Sequence, residues 1–331
     1  MDTKLEKYWL ILFLLGALLS PGTGHAANVQ VELSAGYDDN PSQTEDANGS
    51  AFGRYSLSFD QYVFYSPLAT TMDFSLSGTY QDYHDQGDNY RIDFLGDFTR
   101  PLMRGRVVPS LSIDAGFYRD DLLPEDERDE LGLNAGVSFL MSTRTQLALN
   151  GGVRWLDYRN ESLAFKGAYS AEQRVKQQKM QTPSQHDRKW YDWKGISQPA
   201  CRDDRLDNMN IELTIFAGSS LTPWLTAGYA RLHSNVEVEA YRKYGLAAGI
   251  EYDWNMVWHL ELALAWHRTE YDKAPYYMDR IDYTNFFETS VSRFFDSIEV
   301  FLQFEYKDND SEIDVESYTQ WVTQCGFCWS F

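Results

Sequence analysis

From Val29 onward the chain alternates. Val29, Val31, Leu33, Ala35 and Tyr37 are apolar, small or aromatic, and Gln30, Glu32, Ser34 and Gly36 lie between them. A β-strand sends successive side chains to opposite faces, so this stretch predicts a strand with one apolar and one polar face. The pattern stops at Asp38-Asp39-Asn40-Pro41 and returns at Tyr55, Leu57 and Phe59. It recurs along the chain, for example at Met72–Tyr80, Leu131–Phe139, Tyr244–Tyr252 and Trp258–Trp266. The last instance is Trp321, Thr323, Cys325, Phe327, Trp329, Phe331. Counted along the chain, these segments predict about 14 strands.

The breaks between strands are sorted by length. Those around Ser66, Arg100, Thr143, Thr222, Asn255 and Asp296 are short. Those at 38–50, 82–89, 119–129, 159–207, 233–241, 271–280 and 308–317 are mostly longer and polar. Short turns alternating with long loops are the pattern of a membrane barrel, which hides its apolar face in alternation. The predicted fold is all-β: a closed antiparallel transmembrane β-barrel over 27–331 with one long external loop, 159–207. An even strand count places both termini on the short-turn, periplasmic side. Tyr37, Tyr80, Phe117, Trp155 and Trp266 fall at the loop ends of strands, and Tyr65, Trp224, Trp254, Trp258 and Phe331 at the turn ends, as two interfacial girdles would require.

Both ends of the chain suit export to an outer membrane. Lys4 and Lys7 precede an apolar run from Tyr8 to Leu19, followed by Pro21, Gly22 and the small residues Gly24 and Ala26. The run is shorter than the roughly 18 residues of a spanning helix, so 1–26 is expected to be a cleaved signal peptide. The alternating aromatics Phe327, Trp329 and Phe331 resemble the C-terminal recognition signal of bacterial outer-membrane barrels. That resemblance implies the Gram-negative cell envelope, with outer-membrane lipid and the barrel-assembly machinery as partners.

Lys plus Arg number 29 against 49 Asp plus Glu, a net charge of −20. That balance excludes nucleic acid as a partner, because phosphates need a basic surface. With the apolar set facing lipid, the opposite set faces a lumen. Asp60, Asp73, Asp93, Asp97, Asp114, Glu212, Glu251, Glu261, Glu288, Glu299 and Glu305 belong to it, with Glu32, against only Arg91, Arg154 and Lys307. An open lumen so lined prefers cations. The 159–207 loop is net positive, with Lys176, Lys179, Arg188 and Lys189 beside Trp190, Tyr191 and Trp193. Such a loop is expected to fold inward as a plug, the aromatic residues anchoring it.

Catalytic chemistry is not expected. His259 and His267 share a predicted strand with Glu261 but lie too far apart along it to meet at one ion. Cys325 and Cys328 fall on opposite faces of one strand. No catalytic residue, metal site or cofactor is predicted, and the chain reads as no enzyme. Gly36-Tyr37-Asp38-Asp39-Asn40-Pro41 at the end of the first strand resembles the start of a group of outer-membrane barrels. The group includes the C-terminal barrel of the surface lipoprotein assembly modifier family, here without that family's N-terminal helical repeats. The predicted function is a porin-like channel or translocation pore with an acidic lumen. The alternative is an exporter barrel for surface lipoprotein or polysaccharide, served by a periplasmic export partner. An outer-membrane enzyme or a purely structural barrel ranks below both.

Overall fold

The computed structural model describes residues 26–44, 48–65, 69–84, 86–159, 202–236, 238–255, 257–272 and 280–331. The expected signal peptide therefore lies outside the described residues, Ala26 excepted, as do Lys176, Lys179, Arg188, Lys189, Trp190 and Trp193 of the expected plug.

Fourteen antiparallel strands form one closed barrel. They are β1 (Ala26–Asp38), β2 (Ser50–Tyr65), β3 (Thr70–Tyr83), β4 (Gly87–Thr99), β5 (Val107–Asp120), β6 (Arg128–Ser142) and β7 (Thr145–Tyr158). Then follow β8 (Asp203–Ile215), β9 (Leu221–Ser234), β10 (Tyr241–Trp254), β11 (Trp258–Tyr271), β12 (Arg280–Phe295), β13 (Ile298–Ser311) and β14 (Tyr318–Ser330). Each strand pairs with its sequence neighbours, and β1 closes on β14 from Gln30↔Ser330 to Asp38↔Val322. Closure leaves no unpaired strand edge, which a lipid environment demands.

Side-chain contacts tell the two faces apart. Arg91 on β4 reaches Glu130 on β6, and Tyr83 on β3 reaches Asp38 on β1. Strands that are not neighbours can touch only across the concave side, so this set faces the interior. The other set carries Leu57, Leu131, Leu225, Leu246, Leu264 and Leu302, all exposed. Towards the loop end it carries the exposed rings of Tyr37, Tyr55, Tyr80, Trp155, Tyr229, Tyr244, Trp266, Tyr283 and Trp321, and towards the turn end those of Tyr65, Trp254, Trp258, Trp329 and Phe331. Neighbouring rings of the upper girdle pack in pairs, Tyr37 with Trp321 at 5.3 Å and Tyr229 with Tyr244 at 5.4 Å. Beyond that girdle the outward set turns ionic: Arg119–Asp129 at 2.6 Å and Arg268–Glu270 at 2.8 Å. An apolar belt between aromatic girdles, with ion pairs beyond it, is the surface of a transmembrane barrel.

Two expectations need correction. The sorting of connections by length breaks once: Tyr83 to Gly87 is a tight turn on the loop side, while Thr99 to Val107 on the turn side is longer. Gly87 makes the tight turn possible, with φ of 115° in the region that side chains avoid. Trp224, assigned by sequence to the lipid-facing girdle, instead faces inward. Its ring lies over Gly249, where a Cβ would stand 2.5 Å from Trp224 Cζ2.

Candidate functional site: the barrel lumen

The interior changes character along its axis. In the turn-end half, large inward side chains remain open to solvent: Tyr62 is 44% exposed, Phe64 52% and Phe294 44%. In the loop-end half their counterparts are packed: Phe52 is 5% exposed, Tyr83 8% and Tyr158 7%. Large inward side chains are thus open to solvent towards the turn end and packed together towards the loop end.

Charge follows the same division. Asp60, Asp73, Asp97, Glu212, Glu251, Asp253, Glu261 and Glu299 lie on the inward set in the turn-end half of their strands. Asp73 stands opposite Asp97, and Glu251 opposite Glu261. Like charges placed directly opposite are normally avoided because they repel. Among the described residues, no inward position in this half of the strands is Lys or Arg. His259 is the nearest approach to a base, and its Nδ1 lies 2.8 Å from Asp253 Oδ1.

At mid-height the acids acquire partners. Asp93 is held by Arg91 at 2.8 Å. Asp114 accepts from Arg154 at 2.9 Å and from Asn134 at 3.0 Å. Gln303 Nε2 bridges Glu288 and Glu305, at 2.9 and 2.8 Å. Glu32 and Arg54 stand 4.0 Å apart.

The loop-end half is an ion-pair and tyrosine network. Glu130, with only 3% of its side chain exposed, sits among three guanidiniums: Arg128 at 2.8 Å, Arg91 at 3.3 Å and Arg154 at 3.4 Å. Arg202, just before β8, pairs with Asp204 at 2.8 Å and Glu239 at 3.5 Å and lies 4.0 Å above the ring of Tyr158. Arg280 pairs with Asp282 at 2.7 Å and Glu316 at 3.4 Å and covers the ring of Tyr271. Tyr118 donates to Asp120. In the connections above the strands, burial comes first in setting the acids. It raises Asp126 against the pull of Arg128 and Arg202. It also raises Glu239 despite Arg202, with Asp204 and Glu316 adding to the rise. Burial works against the charged form of Arg202, but Glu239, Tyr158 and Asp204 outweigh it, and its pKa is raised.

The Gly36–Pro41 motif closes the seam of the barrel. Asp38 accepts from Gln320 Nε2 at 2.9 and 3.0 Å, from the Asn40 N–H at 2.9 Å and from Tyr83 Oη at 3.2 Å. Asn40 Nδ2 donates to the carbonyls of Thr44 and Thr319, at 2.9 and 2.8 Å. Asp39 accepts from the N–H of Trp321 at 2.6 Å. Gly36 leaves room for the ring of Phe52, since a Cβ there would meet Phe52 Cζ at 2.5 Å. Three consecutive polar residues thus latch β1 to β14 and to the first loop.

All the acids singled out by sequence fall on the inward set, but the structure divides them between an unpaired and a paired zone. The expectation that inward bases are few is corrected: Arg54, Arg128, Lys243 and Arg280 join Arg91, Arg154 and Lys307. Each missed base lies outside the apolar alternation: Arg54, Lys243 and Arg280 immediately before Tyr55, Tyr244 and Ile281, and Arg128 three residues before Leu131. Alternation marks only the lipid-embedded length of a strand, and the strands continue beyond it. His259 and His267 sit towards opposite ends of β11, and no group of three His, Cys, Asp or Glu able to hold a metal occurs among the described residues. Cys325 is outward and exposed, and Cys328 is on the opposite face; neither is bonded.

No protein-family model matches the chain, and no curated protein does. Among solved structures it is similar to OmpT, an outer membrane protein of Vibrio cholerae, at 9% identity and a TM-score of 0.48, covering 93% of this chain and 100% of that one. It is similar to an anion-selective porin from Comamonas acidovorans at 6% identity and a TM-score of 0.48, covering 93% and 99%. A Pseudomonas aeruginosa FadL homologue matches at 12% identity and a TM-score of 0.44, covering 92% and 90%.

Proposed function

We propose that the barrel is an outer-membrane channel for small solutes, with turns and termini towards the periplasm, and that its turn-end vestibule favours cations. The observation that carries this reading is the turn-end half of the lumen, where Asp73, Asp97, Glu251 and Glu261 stand in like-charged pairs with no inward Lys or Arg among the described strand residues. Unpaired carboxylates facing a confined aqueous space attract cations and repel anions. The paired network at the loop end limits passage rather than selecting charge. Assembly is read from the terminal strand, with Phe327, Trp329 and Phe331 as the segment recognised by the barrel-assembly machinery. Phe331 remains tied to β1 through its N–H to the Val29 carbonyl at 2.9 Å.

The exporter reading rests on the resemblance of Gly36–Pro41 to surface lipoprotein assembly modifiers. Here those residues meet a demand of barrel closure, which any barrel with this seam would share. Refolded protein in a planar bilayer separates the readings. A channel gives stepwise conductance and a cation-favouring reversal potential in a salt gradient. A correctly folded barrel that conducts nothing would favour the exporter.

A further inference from the structure

Below the loop-end network, against β10–β13, lies a cavity of about 280 Å³ in which the local charge is reversed. Lys243 and Lys307 both line it, with His267, Thr269, Tyr271 and Asn309. One carboxylate reaches the same wall, that of Asp282. It is already engaged: Arg280 Nη2 donates to it at 2.7 Å, Arg280 Nε at 3.0 Å and Ser311 Oγ at 2.5 Å. Among the described residues neither lysine has a carboxylate at ion-pair distance. Lys307 Nζ donates to the neutral Gln43 Oε1 at 3.0 Å and lies 5.0 Å from the ring centroid of Tyr318. Lys243 Nζ has no hydrogen-bond partner among the described residues. A second cavity of about 360 Å³ continues from the first, sharing Tyr241, Lys243 and His267 and running to the carboxamides of Asn208 and Asn210. Its floor is low because Gly228 and Gly245 face each other across β9 and β10. A Cβ at Gly245 would come within 2.7 Å of His267 Cδ2, so the glycine lets the imidazole lie against the wall.

Two ammonium groups without carboxylate partners, hydroxyl and amide donors around them, and free volume beside them describe a receptor for a compact anion. We propose that this cavity binds the carboxylate of a small hydroxylated organic acid. Lys243 and Lys307 meet the carboxylate, and the amide and hydroxyl side chains meet the hydroxyl groups. The proposal does not require that the barrel conduct ions.

The test is calorimetric titration of the refolded full chain in detergent with gluconate, and with glucose as a neutral probe of similar size. Saturable single-site binding of gluconate is expected, with glucose weaker by about tenfold or more, the discrimination of a charge-assisted contact. Lys243→Met should weaken gluconate binding by about tenfold. Lys307→Met gives the same reading should Lys243→Met fail the heat-modifiability test for a folded barrel. No gluconate binding to the folded wild type, equal binding in the lysine variants, or glucose binding as tightly as gluconate would each overturn the proposal. Because binding is read without a membrane, these outcomes stand apart from the presence or absence of conductance.

Discussion

The two halves of one lumen solve the problem of inward charge in opposite ways. At the loop end, Glu130 meets three arginines and Asp282 meets Arg280 and Ser311, both carboxylates nearly buried. At the turn end, Glu251 faces Glu261 and Asp73 faces Asp97 beside exposed Tyr62 and Phe64. Buried charges survive only when paired, whereas solvated charges can be left in conflict at small cost. The difference teaches that an acid in this lumen is held by partners where it is buried, and on the proposed reading is left to act on solutes where it is solvated.

Removing one acid from each half should break the symmetry most visibly. Glu130→Ala leaves Arg128 without a carboxylate at ion-pair distance in a packed site, while Arg91 keeps Asp93 and Arg154 keeps Asp114. The expected loss is about 3 kcal/mol. It would be read as a lower urea midpoint of tryptophan fluorescence in refolded protein. Glu251→Ala removes one member of a repelling, solvated pair and should leave that midpoint unchanged or raise it slightly. Equal destabilisation by both variants would erase the distinction.

A smaller effect is expected at the seam. Asp38→Ala strands the donors of Gln320, Tyr83 and Asn40 in a buried site and should cost about 2 kcal/mol. Hydrogen exchange should quicken at the outer ends of β1 and β14 and stay unchanged near their turn ends. Uniform acceleration along both strands would mean that the motif does not act locally.

The smallest effect is on pH dependence. Glu239 is held above its ordinary value of 4.5, chiefly by burial, so the folded state binds its proton more tightly than the unfolded chain. Its contribution is therefore full below about pH 4.5 and is lost as pH rises through the raised value. With 31% of the side chain exposed, solvent screening keeps the effect modest. Acidification from neutrality should raise the protection factors around Ser234 and Tyr241, taken relative to the intrinsic exchange rate at each pH, and Glu239→Gln should abolish that rise. Protection factors that fall on acidification in the wild type would contradict the sign.

The barrel was legible because each strand must satisfy lipid on one face, and alternation records that demand residue by residue. The inward parity of Asp73 or Glu251 followed directly from it. What stayed hidden lay where lipid no longer writes the pattern. Arg54, Arg128, Lys243 and Arg280 sit on strand extensions above the apolar belt, where both faces are polar and alternation carries no signal. Trp224 misled because an aromatic near a turn reads as girdle, although its even parity on β9 places it with Thr222 and Thr226 inside. Nor could spacing show that Asp114 is neutralised while Asp73 and Asp97 are not, since its arginine partner, Arg154, comes from another strand.

The most direct test of the two-zone account is the reversal potential in a potassium chloride gradient, measured on the wild type and on Glu251→Gln/Glu261→Gln. The wild type should favour potassium, and the double variant should shift clearly towards chloride while its unfolding midpoint holds. A reversal potential that favours chloride in the wild type, or one that does not move in the variant, would contradict the assignment of selectivity to the turn-end acids.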